Sequence, residues 1–73
     1  LKDPKTQLQE YLQGRQKSLP LYEVMQTKGK SHDQIFTVSC ELSDLGLQSE
    51  GKGSSRKKAE QQAAHNLLHK LGI

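Results

Sequence analysis

Apolar and polar positions change their period along this chain, and the changes mark its elements. Leu8, Tyr11 and Leu12 recur at i, i+3, i+4 among Thr6, Gln9, Glu10 and Gln13, which predicts a helix over residues 4–13. Asp3 is its N-cap, Pro4 its first residue and Gly14 its stop. After a polar connection ending in Leu19-Pro20, Tyr22, Val24 and Gln26 alternate with Glu23, Met25 and Thr27, predicting a first strand with one buried face. Lys28 to Asp33 reads as a hairpin loop turned by Gly29. The clearest strand comes next, with Phe36, Val38, Cys40 and Leu42 in one phase and Ile35, Thr37, Ser39 and Glu41 in the other. Ser43-Asp44-Leu45-Gly46 is a turn, and Leu47–Lys52 a short third strand. From Ser55 onward, Ala59, Ala63, Ala64, Leu67, Leu68 and Leu71 form a helical stripe that Gly72 ends. Alanine at three of those positions brings the helix backbone close to its neighbour. The pattern predicts an α+β fold ordered α-β-β-β-α, with a three-stranded antiparallel sheet and both helices on one face.

Length adds a bound. At 73 residues the chain is a single domain, 1–73, near the lower limit for a self-sufficient core. It begins at Leu1 and reads as a piece of a longer chain. No apolar run reaches membrane-spanning length, and no membrane partner is expected. Cys40 is the only cysteine, so no internal disulfide or thiolate metal site can form; it suits a reducing, cytoplasmic compartment.

Charge changes the picture more. Eleven Lys and Arg against eight Asp and Glu give a net charge of only +3. Residues 51–58, however, hold four of those bases and no acid, while residues 41–50 hold Glu41, Asp44 and Glu50 and no base. The basic stretch is Gly51-Lys52-Gly53-Ser54-Ser55-Arg56-Lys57-Lys58-Ala59. Its glycines are expected to turn the backbone sharply, and either serine can cap the helix that follows. Three cations in the first turn oppose the helix dipole. Together with the free N–H groups there, they suit phosphate.

Other chemistry is excluded by spacing. The two glycines satisfy neither a phosphate loop nor a dinucleotide fingerprint. His65 and His69 have metal-ligand spacing, but Asn66 stands where a zinc hydrolase needs glutamate and no third ligand follows; they read as surface residues. No nucleophile, base and orienting acid assemble into a catalytic constellation, so no catalytic residue and no metal site is expected in these 73 residues. Phe36 and Tyr22 are expected in the core and there is no tryptophan, which leaves no stacking platform for single strands.

These motifs, in this order, resemble the double-stranded-RNA-binding domain. The residues that carry the resemblance are Leu8-Gln9-Glu10, Pro20-x-Tyr22 and Gly29-x-x-His32 followed by Phe36. Gly51-x-Gly53-x-Ser55-Arg56-Lys57-x-Ala59 running into Ala63-Ala64 completes it. It covers essentially the whole chain. Pro4 through Gly14 and the Asp33-Gln34 loop look most like the C-terminal domain of bacterial ribonuclease III. Such domains span about 16 base pairs, touching two minor grooves and the phosphates between them, with little sequence preference. Carried over by position, the resemblance implies that Thr6, Gln9, Glu10 and Gln13 meet 2′-hydroxyls in one minor groove. It places His32 and its loop, Lys30 included, in the next, and Ser55, Arg56, Lys57 and Lys58 at the intervening phosphates. It implies double-stranded RNA as partner and no cofactor for this piece. For the parent it implies a dimeric, Mg²⁺-dependent endoribonuclease whose catalytic part lies elsewhere. Two departures stand out: Lys30 where the family often has proline, and Glu60 where it often has a third lysine. The other expectations open to such a sequence are the same domain from another RNA-processing protein, or a protein-interaction domain of this fold.

Overall fold

A computed structural model describes all residues, Leu1–Ile73. The order is α1 (Pro4–Gly14), β1 (Leu21–Lys30), β2 (Asp33–Leu42), β3 (Leu47–Gly53) and α2 (Arg56–Lys70). The sheet is antiparallel, with β2 between β1 and β3. Leu8 and Leu12 of α1, Cys40 and Leu42 of β2, and Ala63, Ala64, Leu67 and Leu68 of α2 form one buried cluster. Both helices therefore lie on the same face of the sheet, as the pattern of the sequence requires.

The helix caps follow the sequence at three ends and depart from it at one. The Asp3 carboxylate accepts the Thr6 amide at 2.8 Å, and Pro4 needs no partner at the first position. Of the two candidate serines, Ser55 caps α2, its hydroxyl oxygen accepting the Lys58 amide at 3.1 Å. Gly72 adopts φ +81, and the Gly72 and Ile73 amides close onto the carbonyls of His69 and Leu68. At the end of α1, the expected stop at Gly14 is displaced. The helix includes Gly14, and the left-handed residue is Gln16 at φ 56, with the Gln16 and Lys17 amides returning to Gln13 and Leu12. This closure needs its left-handed residue two positions beyond the last helical one, a position that glycine does not occupy here.

The strands are longer than their hydrophobic runs. β1 and β2 pair out to Lys30 and Asp33, so the loop expected over six residues shrinks to Ser31 and His32. Gly29 makes the tight end possible, since it has φ +100 and a Cβ there would lie 2.4 Å from the Asp33 carbonyl oxygen. Register shifts by one residue between Val24 and Gln26. Tyr22 and Val24 face Cys40 and Val38 on the inner side, but beyond the bulge Thr27 pairs with inner-phase Phe36 and Gln26 with Thr37. The unbroken alternation expected for β1 is thus corrected at Met25, the extra residue, and so is its expected buried face: Tyr22 is half-buried and the rest of the strand is exposed. Phe36 and Tyr22, expected in the core, are half-buried at its margin. Thr37 and Ser39, on the outer phase, are buried all the same. They are short side chains on the central strand, in register with Gln26 and Lys52, and with Glu23 and Glu50.

Gly51 and Gly53 have a different purpose from the turn expected of them. Neither has a positive φ; both lie on β3 opposite Val38 and Phe36, beneath α2. A Cβ on Gly51 would come within 2.2 Å of the Ala63 nitrogen, and one on Gly53 within 2.6 Å of the Ala59 nitrogen. Glycine on the strand and alanine on the helix let two backbones touch. The seam is then fastened by polar groups: Ser49 Oγ donates to the Ala63 carbonyl at 2.6 Å, and Asn66 Nδ2 to the Glu50 carbonyl at 2.7 Å. Lys70 Nζ donates to the Gln48 carbonyl. Asn66 and Lys70 thereby occupy carbonyls on the edge strand that would otherwise invite another strand.

Candidate nucleic-acid interface

The sheet register determines where the basic stretch emerges. β3 runs from Leu47, opposite Leu42, to Gly53, opposite Phe36. Its last residue is therefore at the same end of the sheet as the Ser31-His32 loop. Two residues later α2 begins, so Arg56, Lys57 and Lys58 emerge at that end too. The N-terminal half of α1 is held against the same part of α2, where Lys5 Nζ meets Glu60 Oε1 at 2.6 Å and the Lys5 amide donates to Gln61 Oε1 at 3.1 Å. Three regions far apart in sequence are thus fixed in one rigid frame.

Of the ten residues selected from the sequence, nine are exposed: Thr6, Gln9, Glu10, Gln13, Lys30, His32, Arg56, Lys57 and Lys58. Ser55 is half-buried because its hydroxyl oxygen caps α2. Their state of engagement differs. Lys30, Lys57 and Lys58 make no ion pair, so their charge is available to a ligand. Glu10 is held by Lys2 Nζ through Oε1. Arg56 gives its Nε to Glu60 Oε2 at 3.0 Å, and its side chain is otherwise largely exposed.

Lys5 and Glu60 are the residues that sequence reasoning missed as part of this frame. Glu60 stands where the family often has lysine, yet its side chain is only 12% exposed and pairs with neither Lys57 nor Lys58. Each of its oxygens takes a cation, one from each helix. The Arg56–Glu60 half was legible as an i, i+4 pair; the Lys5 half, across 55 positions, was not. Lys5 also lies 4.8 Å from the centre of the Tyr22 ring. The Tyr22 hydroxyl is buried without a hydrogen-bond partner, and burial pushes its pKa well up, as it does that of the neighbouring Cys40 thiol. Both stay neutral and serve as packing.

Three carboxylates titrate below their ordinary range. Burial works to raise Glu60, but the hydrogen bonds from Lys5 and Arg56 outweigh it and hold the group below its usual 4.5. The amide of Thr6 lowers Asp3, and that of Ser18 lowers Asp44. A carboxylate lowered by folding stabilises the fold above its unfolded pKa, and that contribution disappears as pH falls through the folded value. The melting temperature is therefore expected to be level above about pH 5 and to fall steadily below about pH 4.5. Glu60→Gln should flatten part of that decline. A series of melting curves from about pH 6 to about pH 2 checks it, and an equal decline in both chains would contradict the role given to Glu60.

The geometry offers a polar helix face, a short histidine-bearing loop and an unpaired cation pair at a helix start. No three His, Cys, Asp or Glu side chains converge to hold a metal. Comparison with known proteins agrees in kind. The family model described as "Double-stranded RNA binding motif" matches residues 4–71. Ribonuclease 3 of Alkalilimnicola ehrlichii is 55% identical over 71 residues, covering 97% of this chain and 31% of that protein. Ribonuclease 3 of Buchnera aphidicola subsp. Baizongia pistaciae is 57% identical over 72 residues, 99% of this chain and 32% of that one. The chain thus spans about a third of the length of the curated relatives it matches. Among solved structures, "Structure of Arabidopsis HYL1 and its molecular implications for miRNA processing" superposes with a TM-score of 0.81 at 35% identity, covering 96% of this chain and 97% of that one.

Proposed function

This chain belongs to the double-stranded RNA binding motif family, and from that premise we propose that it grips A-form RNA by shape at three regions. The polar face of α1, with Thr6, Gln9, Glu10 and Gln13, meets 2′-hydroxyls of one minor groove. His32 and Lys30 enter the next. Ser55, Arg56, Lys57 and Lys58 span the phosphates between. The observation that carries this reading is the frame itself: register and helix packing bring the hairpin loop, the start of α2 and α1 together, and the cation pair is free of acids. In A-form RNA the deep major groove denies side chains the base edges, so contacts to phosphate and 2′-OH dominate and sequence preference is slight.

The likeness to two ribonuclease 3 chains supports placing this domain as the RNA-holding part of a ribonuclease III, a bacterial, cytoplasmic, dimeric RNA-processing endonuclease. On that reading the chain alone holds RNA without cutting it. Mg²⁺, which hydrolysis by such an enzyme would use to stabilise charge on the scissile phosphate, would on that reading take its ligands from outside these 73 residues.

A duplex-length series tests the three-region grip. Affinity per site is expected to rise as RNA duplexes lengthen to about 16 base pairs and then level off, because shorter duplexes offer only one complete minor-groove contact. A plateau reached at half that length would remove the second minor groove from the account.

A further inference from the structure

Glu60 presents a contradiction in charge. It is an acid one turn into the helix whose start is to bind phosphate, and plain electrostatics makes it a liability to RNA binding. Its surroundings show another use. Both oxygens are engaged, by Lys5 Nζ of α1 at 2.6 Å and by Arg56 Nε of α2 at 3.0 Å. The side chain is 12% exposed, whereas that of Arg56 is 59% exposed. A carboxylate so enclosed is a poor target for an approaching phosphate, and a guanidinium held at Nε can turn only its two terminal nitrogens outward.

We propose that Glu60 is a positioning residue for RNA binding: it aims the Arg56 guanidinium at the phosphates and, through Lys5, locks the minor-groove face of α1 at a fixed distance from the phosphate-binding start of α2. The proposal rests on the reading of this face as the RNA interface. Shape recognition needs that lock. Two minor grooves are recognised by their separation, so freedom between α1 and α2 would cost RNA binding more than B-form DNA binding, which depends on charge alone. The Lys5–Glu60 bridge is the side-chain ion pair that crosses the two helices, and the Lys5 amide bond to Gln61 reinforces it from the backbone. Glu60 thereby converts a repulsive charge into geometry.

The sign of one substitution tests the idea. Glu60→Gln keeps the shape and removes the negative charge. If Glu60 only repels RNA, affinity rises. If it positions Arg56 and α1, affinity for duplex RNA falls, by about fivefold, and the preference for RNA over DNA falls with it. In an Arg56→Ala background the part of that loss that comes from aiming the guanidinium should vanish, while the part that comes from the Lys5 lock on α1 stays. Titrations of the four chains with one RNA duplex and the DNA duplex of the same sequence supply these numbers, at a temperature where melting curves show each chain folded. Should the variant fail to fold, the wild-type chain decides: the Arg56 Nε–H resonance should track the titration of Glu60 and persist in the RNA complex. Equal or tighter RNA binding by Glu60→Gln, or loss of that resonance on binding RNA, overturns the positioning role. A wild-type chain that ignores duplex RNA overturns the underlying reading of the face instead, and the positioning role with it.

Discussion

Gly51→Ala is expected to lose about 3 kcal/mol of stability or more. The added methyl would meet three atoms of α2 backbone: the Ala63 nitrogen at 2.2 Å, the Gln62 carbonyl carbon at 2.6 Å and the Ala59 carbonyl oxygen at 2.7 Å. None can move aside as a flexible side chain would, so the whole helix must lift. Lifting it opens the packing around Ala63, Ala64 and Leu67 and stretches the bond from Ser49 to the Ala63 carbonyl. A domain of this size has roughly 4–11 kcal/mol to lose, and the melting temperature should drop by roughly 12–24 °C. Gly53→Ala meets its nearest atom at 2.6 Å and should cost less. Gly14→Ala meets nothing within 4 Å inside α1 and should be neutral or stabilising by up to about 1 kcal/mol. Thermal melts of the three variants check the order. A Gly51→Ala chain that melts with the wild type would contradict the seam between β3 and α2.

Lys57→Ala should separate binding from folding. Lys57 is exposed, makes no ion pair and opposes the helix dipole from the first turn. Its removal is therefore expected to leave the melting temperature unchanged or slightly higher. A charge-assisted contact to phosphate is worth about 1.5 kcal/mol or more, so duplex RNA binding should weaken roughly tenfold. One fewer counterion is released, so the slope of log affinity against log salt should shrink by about one. Titrations at two salt concentrations measure both effects. An unchanged slope would take Lys57 off the phosphates.

Much of this was legible in the chain. The alternation from Phe36 to Leu42 gave β2, and the stripe from Ala59 to Leu71 gave α2, because each records the burial of one face of its element. The exposure of nine of the ten site residues was equally legible, since each lies off an apolar phase. What could not be read depended on partners far away in sequence. The bulge at Met25 depends on how β1 meets β2. Gly51 and Gly53 look like turn residues until α2 is placed over them, and their flanking cations gave no sign of that approach. Glu60 looked like a departure from the family because only the packing of α1 supplies Lys5.

The central claim is that this surface reads the A-form duplex and does not merely attract polyanions. It is tested most directly by titrating the chain with an RNA duplex of about 20 base pairs and with the DNA duplex of the same sequence, in the same moderate salt. The RNA duplex is expected to bind tighter by on the order of tenfold or more, because both minor-groove regions depend on A-form spacing and 2′-hydroxyls. Equal affinity for the two would contradict the account, leaving Arg56, Lys57 and Lys58 as a charge patch without shape recognition.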